Sequence, residues 1–138
     1  MKLIVSESAG HWAMALRRLL PPDALPLCET RTLAECKNEL AAAPTSVVLT
    51  ELNRSSAASL LTFIADCQRR MPQSLFAVAA DRAWSSWQAA LAEAGAALTI
   101  FSPRKLTPLI TAIHRHQARF PQPTVNVAER IWAELPLA

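Results

Sequence analysis

The sequence predicts an α/β fold, a five-stranded parallel sheet covered on both faces by helices. Two observations carry this reading. The apolar pattern switches five times between a short continuous run and a stretch with helical spacing, and the short runs are bounded by Gly, Pro and Ser. A third sets the scale: 138 residues, 51% hydrophobic and 18% charged, suit one domain with a sizeable core and argue against wholesale disorder.

Leu3-Ile4-Val5 is the first strand, ending at Ser6-Glu7-Ser8-Ala9-Gly10. A helix follows with Ala13, Leu16, Leu19 and Leu20 on one face, halted by Pro21-Pro22. Residues 24–30 read as a second strand with Pro26 inside it. Thr32-Leu33-Ala34-Glu35 has the spacing of a capping box, opening a helix with Leu33, Cys36 and Leu40 inward. Ser46-Val47-Val48-Leu49 is the third strand. Ser55 or Ser56 caps a third helix with the stripe Leu60, Ile64 and Cys67, closed by Arg69-Arg70 and Pro72. Residues 75–79 form the fourth strand. Trp84, Trp87, Leu91 and Ala94 define a fourth helix, and Gly95 suits its C-terminal cap. Residues 97–101 are the fifth strand; Leu106, Leu109, Ile110 and Ile113 give a fifth amphipathic helix.

Strands one, three and four are near-continuous apolar runs, as central strands buried on both faces should be. Proline places strand two at an edge, and the alternation Leu98, Thr99, Ile100 places strand five at the other. The order 2-1-3-4-5 satisfies both. It defines a flavodoxin-like three-layer sandwich.

Residues 1 to about 118 resemble a response-regulator receiver domain, of a degenerate, pseudo-receiver type. Lys2–Glu7 resembles the family's first strand, which ends in an acidic pair that holds magnesium; here the pair is Ser6-Glu7. Val47-Val48-Leu49-Thr50-Glu51-Leu52-Asn53 resembles the third strand and phosphoacceptor loop, with Glu51 at the place of the aspartate. Phe76-Ala77-Val78-Ala79-Ala80 resembles the fourth strand, with Ala79 where the family has a hydroxyl. Ser102-Pro103 stands for the lysine-proline pair, whose usual cis peptide the resemblance implies here too. Thr99, or Leu98 one residue earlier, falls at the family's aromatic switch position.

Each departure removes a requirement of phosphoryl transfer, which needs an in-line nucleophile and cations on the equatorial oxygens. Glu51 is one methylene longer than aspartate, which displaces its oxygen by ~1 Å, a shift that can cost ~10²-fold in rate. The resemblance therefore implies a signalling or scaffold module that acts through protein–protein contacts without phosphorylation, and no enzyme. A sharper alternative makes Glu51 a mimic of phospho-aspartate. Another lets Glu7 and Glu51 hold magnesium with the carbonyl of Asn53, a weak site with two carboxylates. The runner-up is a small flavodoxin-like protein that binds flavin or another phosphate-bearing ligand at residues 6–11, with Trp84 as an aromatic wall. Glu7 would repel a phosphate there, and no cofactor is expected.

The net charge of +3 is dispersed in pairs near helix ends, which suits helix dipoles better than a nucleic-acid surface. Cys28, Cys36 and Cys67 lack metal-ligand spacing and read as small core residues. No signal peptide or membrane-length apolar run is legible, so a cytoplasmic location is expected. His114 and His116, two apart on a helix, face different ways. Residues 1–120 form the receiver-like domain. Residues 121–138 follow as a proline-containing connector and a short amphipathic helix, the C-terminal extension of the fold. The expected interaction surface is helix four, strand five and helix five, with Trp84, Trp87, Ile131 and Trp132. Its partner is a signalling protein or a second copy of the chain.

Overall fold

The computed structural model describes residues 1–21 and 24–120. Its elements are β1 (Leu3–Ser6), α1 (His11–Leu19), β2 (Leu27–Thr30), α2 (Leu33–Ala42), β3 (Val47–Leu52), α3 (Ala57–Arg70), β4 (Leu75–Ala80), a 3-10 helix (Arg82–Trp87), α4 (Gln88–Ala94), β5 (Ala96–Ile100) and α5 (Thr107–Arg119). All pairings are parallel and the strand order is β2-β1-β3-β4-β5. The flavodoxin-like sandwich expected from the sequence is the fold.

Alternation along the strands divides the core in two. Leu3, Val5, Val47, Leu49, Ala77, Ala79 and Ile100 face α1 and α5. Ile4, Val48, Leu52, Phe76, Val78 and Ala80 face α2, α3 and α4. The stripe Leu60, Ile64 and Cys67 of α3 is wholly buried, as its spacing predicts. Thr32 caps α2 by accepting the Glu35 N–H at 3.1 Å. The reciprocal arm of the capping box lands one residue early, on the Arg31 N–H at 3.4 Å.

Several boundaries differ from expectation, each for a local reason. Pro26 lies outside β2: lacking an N–H, it precedes the ladder, and its carbonyl accepts from the Leu3 N–H at 2.8 Å. In α1 the buried face is Trp12, Ala13 and Leu16, whereas Leu19 is 58% exposed in the last turn. β3 runs on to Leu52, so Glu51 belongs to the strand and pairs in register with Ala79. β5 starts one residue early, at Ala96.

The expected fourth helix is divided, because its first half winds as a 3-10 turn opened by Asp81, which accepts the Ala83 N–H at 3.2 Å. Three residues per turn eclipse Trp84 and Trp87, and their rings meet edge-to-face at 5.2 Å. The expected cis bond at Ser102-Pro103 is absent; no described peptide is cis. Pro103 instead occupies the second position of a tight turn closed by the Lys105 N–H on the Ser102 carbonyl at 3.0 Å, a place that accepts trans proline. This loop takes a different path from the one the resemblance implies.

Candidate functional site

The C-terminal ends of β1, β3 and β4 and the loops beyond them surround an open cleft of about 1130 Å³. Glu51, Asn53, Ala79, Trp84, Trp87 and Ser102 all line it. A smaller cleft of about 370 Å³ lies beside it, where Ser6, Glu7 and Ser8 meet Glu51 and Asn53. The structure thus gathers the residues singled out in β1, β3, β4 and the Ser102 loop at one end of the sheet. Ile131 and Trp132 lie outside the described residues, as do the connector and the tail segment.

Glu7 is buried, and both its carboxylate oxygens are engaged. Oε1 accepts the Trp12 N–H at 2.9 Å and Oε2 the Ala13 N–H at 2.7 Å. The residue before α1 is Gly10, at φ 87° and with no side chain to cap the helix. Glu7 supplies that missing cap from the end of β1, and its charge complements the positive helix terminus. The carboxylate is turned into the helix rather than toward Glu51.

Glu51 is half-buried. Its Oε1 accepts from the Ser8 hydroxyl at 3.1 Å, the Asn53 side-chain amide at 2.8 Å and, more weakly, the Ser8 N–H at 3.4 Å. Its neighbour across the sheet is the methyl group of Ala79, wholly buried and unable to donate or accept. No cation pairs with Glu51 among the described residues. Ser102 spends its hydroxyl on the Arg104 N–H at 3.2 Å, and its carbonyl on the turn.

The magnesium that the receiver fold implies does not fit these residues. Such an ion takes near-octahedral oxygen ligation with one or two carboxylates. Glu7 would have to abandon two helix N–H groups to contribute, and Ser6 faces the other side of the sheet, with its hydroxyl toward the Thr32 carbonyl at 3.5 Å. Among the described residues no group of three or more His, Cys, Asp or Glu is arranged to hold a metal.

Other site features escape sequence reasoning. Ser8, in a polar loop, gave no sign that it would be the partner of Glu51. Trp12 and Phe101 line the larger cleft with Trp84 and Trp87, making its wall aromatic, and the cationic side chains at its rim are Arg54 and Arg82. Ser6 stands in register between Thr30 and Thr50, a row of hydroxyls under α2 and α3. The Thr50 hydroxyl there is buried without a partner.

A scan of protein-family models finds no match to this sequence, and a search of curated proteins finds none either. Solved structures do match. A CheY-like protein (tadZ) from Pseudomonas aeruginosa PAO1 is 19% identical, with a TM-score of 0.67 over 88% of this chain and 97% of that one. A response regulator from Thermotoga maritima is 17% identical, with a TM-score of 0.69 over 85% of this chain and 97% of that one. HP1043, an orphan response regulator of Helicobacter pylori, is 16% identical, with a TM-score of 0.62 over 84% and 95%. The chain has the fold of CheY-like receiver domains.

Proposed function

We propose that this chain is a pseudo-receiver, a signalling or scaffold module that works through protein–protein contacts and is not switched by phosphorylation. One observation carries the reading: Glu7, the remaining carboxylate of the acidic pair, is consumed as the N-terminal cap of α1. Ala79 beside Glu51, and a turn at Ser102 in place of a lysine, support it further. With no cation at position 102 and no hydroxyl at position 79, a phosphoryl group on Glu51 would be neither formed efficiently nor sensed. The same lack weighs against a phospho-mimic role for Glu51, since no fixed donor reads its charge except Ser8 and Asn53.

The receiver fold of the neighbours, two of them response regulators, supports signalling as the setting. Among the described residues no helix is long and apolar enough to cross a membrane. The working surface is assigned to the face made by the 3-10 helix, α4, β5 and α5, and the partner to a signalling protein or a second copy of the chain.

The test is intact-mass spectrometry after incubation with acetyl phosphate and magnesium. The expected mass is unchanged. A stoichiometric gain of one phosphoryl group, abolished by Glu51→Gln, would overturn the reading. Absorbance of the purified protein separates the flavin alternative, which requires a visible band.

A further inference from the structure

The loops that follow β1, β3, β4 and β5 bring side chains far apart in sequence into the larger cleft. It lies at the C-terminal end of the sheet, by the β1/β3 switch point where open α/β sheets bind ligands. Its volume of about 1130 Å³ is ample for a small ligand, whose sites span ~300–1,000 Å³. Four aromatic side chains line it: Trp12, Trp84, Trp87 and Phe101. Trp12 is only 8% exposed, yet its indole N–H has no hydrogen-bond partner among the described residues. A largely buried tryptophan ordinarily finds one, so this donor is left for a molecule in the cleft.

Charge is uneven around the same cleft. The ion pairs among the described residues set Lys2, Arg17, Arg31, Lys37, Arg69 and Arg70 against Glu29, Glu39 and Asp66, and none of these residues lines it. Arg54 and Arg82 do line it, are exposed, and have no acidic partner among the described residues. An adjoining hollow of about 390 Å³ shares Ala9, His11 and Pro103 with the cleft. It adds Arg18 and Arg104, which form no ion pair among the described residues either. Two carboxylates line the cleft, and both are partly satisfied. Asp81 caps the 3-10 helix, and Glu51 Oε1 accepts from Ser8 and Asn53. Glu51 Oε2 has no partner among the described residues and remains an acceptor.

We propose that this cleft binds a purine nucleotide. A free phosphate would use the arginines alone and an apolar ligand the rings alone, whereas a nucleotide uses both. The base stacks in the aromatic wall, with the Trp12 indole donating to it and Glu51 Oε2 accepting from a base N–H. The phosphate lies at the rim, against Arg54 and Arg82. Trp84 and Trp87 belong also to the face assigned above to partners, so an occupied cleft reaches that surface. The nucleotide is then the signal in place of a phosphoryl group. That role rests on the pseudo-receiver reading; the binding itself does not.

The experiment is isothermal titration calorimetry of the full chain with guanosine monophosphate and adenosine monophosphate. At least one should saturate with a Kd below ~1 mM, and its nucleoside should bind at least about tenfold more weakly. The double variant Arg54→Gln, Arg82→Gln should lose at least about tenfold in affinity. Trp12→Phe keeps a ring but removes the N–H, and should lose about three- to tenfold. Arg69→Gln, on the ion-paired side, should bind like the wild type. The exposed arginine positions keep the test decisive should Trp12→Phe fail to fold. No saturation with either nucleotide would overturn the proposal, as would equal affinity for inorganic phosphate. So would unchanged affinity in the arginine double variant, or binding confined to a single-stranded oligonucleotide, which would make nucleic acid the occupant. Phosphorylation of Glu51 by acetyl phosphate would overturn the pseudo-receiver reading and leave the binding result standing.

Discussion

The Glu7 carboxylate lies 2.7 Å from the Ala13 amide nitrogen and closes the first turn of α1 from the end of β1. Strand and helix are thereby joined by a buried, charge-assisted bond at the one place where Gly10 leaves the helix without a side-chain cap. Removing the acceptor strands two buried N–H groups. Glu7→Ala should therefore destabilise the fold by about 2–3 kcal/mol, with Glu7→Gln costing less because one acceptor survives. Urea titration measures both. A Glu7→Ala variant as stable as the wild type would mean the cap is not sustained in solution.

Gly95 ends α4 at φ 126°, and a Cβ built there would sit 2.5 Å from Gln68 Cγ and 3.3 Å from Gln68 Cβ on α3. Both conformation and close approach demand glycine. Gly95→Ala should lower stability by more than the ~1 kcal/mol typical of an incompatible backbone alone, because the Gln68 side chain must also shift. Thermal unfolding with Gly10→Ala as a comparison tests this, since a Cβ at Gly10 meets nothing closer than 3.6 Å and the strain there is conformational only.

Acid should loosen the β2 edge. The Arg17 guanidinium beside Glu29, at 2.7 Å, holds the Glu29 carboxyl below the usual carboxylate range, and Arg31 adds to the effect. A depressed folded-state pKa contributes stability above the unfolded value, and that contribution is lost as pH falls through the folded one. The pair is partly exposed, so the gain is small, ~0.2–1 kcal/mol. Stability measured from neutral pH down through the carboxylate range should fall less steeply in Glu29→Gln than in the wild type. Equal slopes would show the pair to be without energetic weight.

Burial also sets thiol reactivity. Desolvation pushes the Cys36 thiol up to about 12, and raises Cys67 as well. Cys28, on the edge strand, is half-buried and raised mainly by desolvation. Thiol reagents at neutral pH should modify Cys28 slowly, and Cys36 and Cys67 only after unfolding. Rapid labelling of Cys36 in the native protein would show that α2 opens readily.

The fold was legible because each element announces itself by period and by punctuation. The five apolar runs and the Leu60, Ile64 and Cys67 stripe sufficed to recognise the sheet and its layers. β2 is at the edge as expected, although Pro26 stands just before the strand and not within it. The site was legible only as an inventory. Spacing places Glu7 near Glu51, but a rotamer turns Glu7 into α1, and rotamers follow from what the backbone leaves unsatisfied. The Ser102 turn was missed for a related reason. Its path depends on the bond from Lys105 back to Ser102, whereas the resemblance supplied a different loop. A 3-10 start for the Trp84 helix was hidden because three-residue and 3.6-residue spacing both place Trp84 and Trp87 on one face.

That tryptophan pair carries the last prediction. Trp84 and Trp87 meet edge-to-face at 5.2 Å and 83°, half-buried against the α2, α3 and α4 side of the core. Both also line the larger cleft. Half-burial leaves part of each side chain exposed beside its core contact, as an interface anchor requires. Trp84→Ala and Trp87→Ala should each lower stability modestly, with a coupling of ~0.5–1.5 kcal/mol in a double-mutant cycle, as expected of an edge-to-face pair. Their effect on binding should be larger than their effect on the fold. A partner captured with the wild type, identified, purified and rebound should lose at least about tenfold in affinity to either variant, while circular dichroism stays unchanged. Undiminished affinity in both variants would place the working surface elsewhere, and the pair would then be a packing feature of the 3-10 turn.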